Sequence, residues 1–349
     1  MKKKNVINLI KYYAENNDAG FRTEAYEIAK YFDQVGDYQL AEYIMALMSN
    51  ANTFIPQMGE NESVMFEKVD KMSDSLWLPE DITQDLLGIV HAVAHNAGIN
   101  QFLFQGAPGT GKTEAVKQLA RILEREIYMV DFAAVIDSKM GQTQKNMSEL
   151  FREINNFVHP EKVIILFDEI DAVALDRTNS NDLREMGRAT SSLLKNMDHM
   201  DERIVLVATT NLYEFFDKAL IRRFDSVIDF NRYSQEDLMD ISEEYLNKFL
   251  TKFNLTKKDI RLFRKIMMLH PVLPYPGDLK NLIKTAVAFS DPDDELDYFR
   301  RLYYTITGEK PENIKKLQDQ NFTIREIEIL SKIPKSSVAR ELKGVIRDE

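Results

Sequence analysis

Apolar residues along the first fifty positions recur at helical spacing. Ala25, Ile28, Ala29 and Phe32 form one such set and Leu40, Ala41, Ile44 and Leu47 another, because side chains three and four apart lie one above the other on a helix. The spacing predicts helices over 7–14, 21–32 and 38–48, with Gly36 between the last two, packed as a small bundle. Residues 49–75 turn polar, with Ser49, Asn50, Pro56, Gly59 and Ser63, and read as connecting chain. An amphipathic helix is expected over 79–95. Beyond it the period changes: short continuous apolar runs at 102–104, 127–130, 163–167 and 204–208 alternate with helical patterns up to about residue 228. Runs without polar alternation are strands buried on both faces. Their alternation with helices predicts an α/β core, a parallel sheet sandwiched by helices. From 233 to 290 the pattern is helical again, interrupted by a proline-containing loop at 271–276, and the tail from Asp291 is helical too. The expected organisation is an N-terminal helical domain at 1–56, a linker at 57–78, the α/β core at 79–231, a helical lid at 232–290 and a helical tail at 291–349.

Composition narrows the class without changing this picture. At roughly 100 to 200 residues per domain, 349 residues allow two or three domains, and 44% hydrophobic with 29% charged residues supports a packed core. The absence of cysteine excludes a disulfide framework, a thiolate zinc site and a cysteine nucleophile. Lys2, Lys3 and Lys4 could open an export signal, but the apolar stretch that follows is broken by Asn8 and ends at Lys11, too short for one. No apolar run approaches the roughly 18 residues of a membrane helix, so no membrane association is expected and a cytoplasmic location fits. A net charge of −11 argues against a surface that binds nucleic acid as a whole.

The chemistry concentrates in the core. Gly106-Ala107-Pro108-Gly109-Thr110-Gly111-Lys112-Thr113 follows a strand and opens a helix. Glycines let such a loop curl so that successive N–H groups face a phosphate, Lys112 places its charge on the β- and γ-phosphates, and Thr113 ligates Mg²⁺. The run ending at Phe167 delivers Asp168 and Glu169, the first to hold Mg²⁺ through its water shell, the second to polarise the attacking water. The run ending at Ala208 delivers Thr209, Thr210 and Asn211; if its strand neighbours the phosphate-loop strand, Asn211 stands near the γ-phosphate. Downstream lie two adjacent arginines, Arg222 and Arg223.

These motifs, in this order, resemble the AAA+ ATPases, and within them the AAA clade, over about residues 80–290. The resemblance implies that ATP and Mg²⁺ are bound, that Asn211 takes the sensor-1 position, and that Arg222 and Arg223 match the arginine-finger segment that enters a neighbouring subunit's site. It further implies a homo-oligomeric ring, a hexamer, acting as a motor or switch on a partner protein. Gly277-Asp278-Leu279-Lys280 resembles the sensor-2 segment, with Lys280 where many relatives carry arginine; lysine keeps the charge but loses the bidentate fork. Residues 137–151 resemble the stretch bearing the substrate-gripping pore loop, with Lys139 and Met140 where translocating relatives offer an aromatic. The layout also looks similar to bacterial AAA ATPases encoded beside subtilisin-like proteases, which implies a protease in a separate chain.

Outside the core the signals are weaker. His91 and His95 have the spacing of a zinc pair but lack the accompanying glutamate, since Ala92 follows His91. Trp77 could line an adenine pocket or pack on the core. Residues 322–342 have the hydrophobic spacing and short turn of a helix-turn-helix, with a second helix over 335–346 that bears Arg340 and Lys343, and Arg347 just after it. Glu328 stands where a small residue is usual and Lys332 where the turn glycine is usual. From residue 313 onward eight cations face six acids, a thin basis for DNA affinity. A protein-docking or structural tail is therefore favoured over the alternative, a DNA-associated switch that regulates a nuclease, transposase or replication factor.

Overall fold

The computed structural model describes residues 3–14, 18–35, 38–48, 65–71, 77–136, 142–171 and 182–345. The chain separates into two compact units, 1–62 and 63–349. In the first, the helices Lys3–Ala14, Asp18–Gln34 and Tyr38–Met48 bury Ala25, Ile28, Ala29 and Ala41. Glu24 ties the first two together, its carboxylate accepting from the side-chain amides of Asn5 at 2.9 Å and Asn8 at 3.0 Å. Small alanines on the inner faces let the helices approach closely, while Ile7, Ile10 and Tyr13 point to solvent.

The second unit is built on a six-stranded sheet in the order β1-β3-β4-β5-β2-β6. The strands are β1 (Phe66–Val69), β2 (Gln101–Gln105), β3 (Glu126–Val130), β4 (Val163–Phe167), β5 (Val205–Thr210) and β6 (Ser226–Asp229). Strands β2 to β6 are mutually parallel, as expected. One further strand runs the other way: β1 pairs antiparallel with β3, Phe66 opposite Val130. It comes from the stretch read as linker, where Glu67 and Lys68 mask its apolar content, and Lys68 and Lys71 both pair with Glu126.

Every residue of β4 and β5 is buried, because each faces a helical layer on both sides. Phe102, Phe104, Ile164, Leu166, Val205 and Val207 pack against the helices Glu80–Ala94 and Lys112–Ile122. On the opposite side the Phe167 ring meets Phe132 at 5.3 Å and Phe151 at 6.1 Å, the latter on the helix Gln142–Asn155.

The C-terminal part consists of the helices Gln235–Lys252, Ile260–Met267, Pro276–Ala288, Asp297–Thr307, Ile314–Asp319, Ile324–Ser331 and Lys335–Val345. One apolar core runs through all of them, from Leu238 through Tyr298, Phe299 and Tyr303 to Val338 and Leu342. Residues read as lid and residues read as tail thus bury their apolar faces together. No helix among the described residues is long and apolar enough to cross a membrane.

Candidate active site

The loop 106–111 leaves the carboxyl end of β2, and the helix Lys112–Ile122 starts directly after it, so its unpaired N–H groups face the loop's concavity. Gly109 and Gly111 have φ of +78° and +95°, values that L side chains adopt only with strain. The loop is held from outside as well. Ala107 N–H donates to Asn231 Oδ1 at 2.8 Å and the Tyr233 hydroxyl to Thr110 O at 2.8 Å, while within the loop the Thr110 hydroxyl donates to Ala107 O at 2.8 Å. Gly277 N–H, in the first turn of the helix Pro276–Ala288, donates to Gly109 O at 2.8 Å.

Lys112 is buried, and its ammonium donates to Gly106 O at 2.7 Å, Ala107 O at 3.0 Å and Asn211 Oδ1 at 2.7 Å. Burial pushes its pKa below the ordinary lysine value, opposed by the carboxylates of Asp168, Asp171 and Glu169. Asn211 arrives there because β5 lies between β2 and β4, with Gln105 opposite Thr210 and Phe167 opposite Ala208. The same adjacency gathers the acids. Thr113 Oγ1 donates to Asp168 at 3.1 Å and Thr209 Oγ1 donates to it at 2.6 Å. Glu169 is exposed, sits at φ +50°, and donates its N–H to Thr209 Oγ1 at 2.9 Å. A non-glycine residue in the left-handed region costs of order 1 kcal/mol or more and persists where the surroundings impose it. Here Thr209 holds the chain on both sides, its hydroxyl accepting from Glu169 N–H and its carbonyl from Ile170 N–H at 3.1 Å.

Arg222 and Arg223 are not part of this cluster. They follow the helix Lys218–Ile221 and precede β6, and Asp225 anchors the turn by accepting from Asn100 and Gln101 N–H, both at 2.9 Å. This is the amino end of β2, whereas the phosphate loop leaves its carboxyl end. A five-residue strand separates the two by about 16 Å. Arg223 pairs with Asp198 at 2.7 Å, whereas Arg222 is exposed with no ion pair among the described residues. Lys280 is half-buried within the first two turns of the helix that begins at Pro276. Trp77 is exposed and lines a cavity of about 330 Å³ with Leu78, Pro79 and Ile241. His95 Nδ1–H donates to His91 O, a carbonyl of its own helix, at 2.8 Å. The pore-loop residues Lys139 and Met140 lie outside the described residues.

Four contributors escaped the sequence reading: Thr209 as the bridge between Asp168 and Glu169, Asn231 and Tyr233 as clamps on the loop, and Asp171. Asp171 accepts from the Thr210 hydroxyl and, at 3.2 Å, from Asn211 N–H, which fixes the end of β5. A third acid three residues after Asp168 was a readable signal for it.

A hydroxyl beside a carboxylate at a loop that presents N–H groups is a hard-oxygen donor set next to an anion cradle, and both fit Mg²⁺ bound to a nucleotide phosphate. Residues 102–232 match the family described as ATPase family associated with various cellular activities (AAA). An uncharacterized AAA family ATPase of Sinorhizobium fredii is 35% identical over 133 residues, 38% of this chain and 39% of that protein. A putative 26S proteasome regulatory subunit homolog of Methanothermobacter thermautotrophicus is 30% identical over 167 residues, 47% of this chain and 44% of that protein. A proteasome-activating nucleotidase of Methanococcus maripaludis is 30% identical over 218 residues, 60% of this chain and 51% of that protein. The chain thus spans about half or less of the length of these curated relatives, and what it shares with them is the AAA ATPase domain.

Proposed function

We propose that this chain hydrolyses ATP with Mg²⁺ as one subunit of a homo-oligomeric ring, and that it acts as a remodelling motor or switch on a partner polypeptide. The observation that carries this reading is the division of the chemistry between the two ends of β2. Lys112, Thr113, Asp168, Glu169 and Asn211 meet at the carboxyl end, and Arg222 and Arg223 stand about 16 Å away at the amino end. From there an arginine serves a neighbour's phosphate more readily than its own.

On nucleotide binding, the Lys112 ammonium exchanges its loop carbonyls for the β- and γ-phosphate oxygens. Thr113 and Asp168 are the residues that would hold Mg²⁺, whose chemical contribution is to neutralise phosphate charge. Glu169 orients the attacking water and accepts its proton, while Asn211, released from Lys112, hydrogen-bonds the water or the γ-phosphate. An arginine from the adjacent subunit stabilises the charge that develops in the transition state. Lys280 adds a point charge from the lid.

The helices of residues 1–62 are the proposed recruiting unit. The names of the relatives support a polypeptide partner delivered to a protease, and a subtilisin-like protease in a separate chain is the specific candidate. The test measures ATP turnover and capture of an unfolded polypeptide by the full chain and by a chain lacking residues 1–62. Basal turnover should survive the deletion and capture should not. A full chain without Mg²⁺-dependent ATP turnover would refute the reading.

A further inference from the structure

The two sequence features that spoke against a helix-turn-helix in the tail are accommodated by the fold. Lys332, in the place of the turn glycine, adopts φ +60° and closes the helix Ile324–Ser331 in the left-handed conformation the turn needs. Glu328, in the place of a small residue, turns its carboxylate to accept from Lys335 N–H at 2.9 Å and so caps the next helix. The connection is three residues, 332–334, ending in Pro334 just before the second helix. Leu317, Ile327, Leu330, Val338 and Leu342 bury the inner faces of the helices Ile314–Asp319, Ile324–Ser331 and Lys335–Val345 in one core, which leaves the opposite face of the last helix outward.

Charge is sorted across this unit. Its acids are partly consumed inside: Glu326 is buried and bound to Lys265 at 2.7 Å, and Glu328 caps a backbone amide. Of its cations, Lys316 pairs with Glu309 and Lys332 with Asp294, while Arg325, Lys335 and Arg340 are exposed and have no ion pair among the described residues. Glu341 is exposed on the same helix, about 100° around from Arg340. Ser336 and Ala339, small residues, lie between Lys335 and Arg340 and keep the face slender enough to enter a groove. Eleven residues give a helix about 16 Å long and, with its side chains, about 10–12 Å across, which fits a major groove about 12 Å wide.

We propose that the helix Lys335–Val345 docks in the major groove of duplex DNA, with Lys335 and Arg340 on phosphates or base edges and Arg325 on the flanking backbone. The site lies in the helical C-terminal part and uses none of the groups at the phosphate loop, so it does not rest on the ATPase reading.

The test is a fluorescence-anisotropy titration of the full-length protein, without nucleotide, on a random-sequence duplex of about 30 base pairs at about 50 and about 200 mM salt. Binding with a Kd of roughly 10⁻⁴ to 10⁻⁶ M or tighter is expected. The Lys335→Ala/Arg340→Ala variant should lose at least about tenfold in affinity, and its slope of log affinity on log salt should flatten by roughly two units, one for each phosphate contact removed. Unchanged circular dichroism and ATP turnover in the variant show that it has folded. No duplex binding at the lower salt, or the same affinity and slope in the double variant, would overturn the proposal, as would binding that disappears with residues 1–62 instead.

Discussion

Gly277 and Gly109 touch backbone to backbone. The amide of the first donates to the carbonyl of the second at 2.8 Å, and a Cβ built on Gly277 would stand 2.8 Å from the Gly109 Cα. The C-terminal helical layer is therefore seated on the phosphate loop itself, with the Tyr233 hydroxyl on Thr110 O as a second fastening. Gly277→Val must displace one backbone from the other. A loss of about 1–3 kcal/mol in stability and a raised KM for ATP are expected, read by thermal denaturation and steady-state kinetics. An unaltered KM would show that the contact does not shape the loop.

Glu169→Gln keeps the shape of the side chain and removes the proton acceptor. Turnover should fall at least about 10²-fold while nucleotide affinity is retained. Lys112→Ala should instead weaken binding itself, because the buried ammonium is hydrogen-bonded to the loop carbonyls at the place where phosphate would sit. Equilibrium binding of a fluorescent nucleotide beside turnover separates the two; near-normal turnover in Glu169→Gln would remove that residue from its role.

Position of the arginines makes a prediction about mixtures. A variant with both Arg222→Ala and Arg223→Ala, inactive alone, should regain part of its turnover when mixed with Glu169→Gln subunits, since a mixed interface pairs an intact Glu169 with an intact arginine. Turnover per subunit should also rise with protein concentration. Full activity in a monomer at every concentration would contradict this arrangement.

Acid should loosen the C-terminal part through Glu326. Burial raises the pKa of this carboxyl, but Lys265 at 2.7 Å and the Thr323 amide at 2.6 Å outweigh it and hold the group below the usual glutamate range. A folded-state pKa below the unfolded one contributes stability that is complete above the unfolded value, about 4.3, and is lost as pH falls through the folded value. Glu326→Gln should cost about 1–3 kcal/mol at neutral pH and flatten the decline of stability below pH of about 5. Denaturant titrations from neutral pH downward on both proteins provide the measurement, and parallel curves would exclude the pair as the cause.

Much of the core was legible because β2, β3, β4 and β5 are covered on both faces, so their apolar runs are nearly unbroken. The edge strands were not. β1 and β6 have one neighbour each, and Phe66-Glu67-Lys68-Val69 and Ser226-Val227-Ile228-Asp229 carry the polar residues that edges need. The phosphate loop and the acids after β4 were readable since their chemistry is contiguous in sequence. Asn231 and Tyr233 were not, because they act on Ala107 and Thr110 from more than a hundred positions away, and the adjacency of β6 to β2 that brings them there is invisible in local pattern. The turn at Lys332 failed as a sequence signal for a different reason: a residue with a Cβ can hold φ +60° when the helices on either side are anchored, by Leu330 and Val338, in a common core.

That common core also has a mechanical meaning. From Leu238 to Leu342 the C-terminal helices share one buried cluster in which the rings of Tyr298, Phe299 and Tyr303 are fully enclosed. The helix Pro276–Ala288, fastened to the phosphate loop through Gly277, and the helix Lys335–Val345 are thus parts of one continuous apolar body.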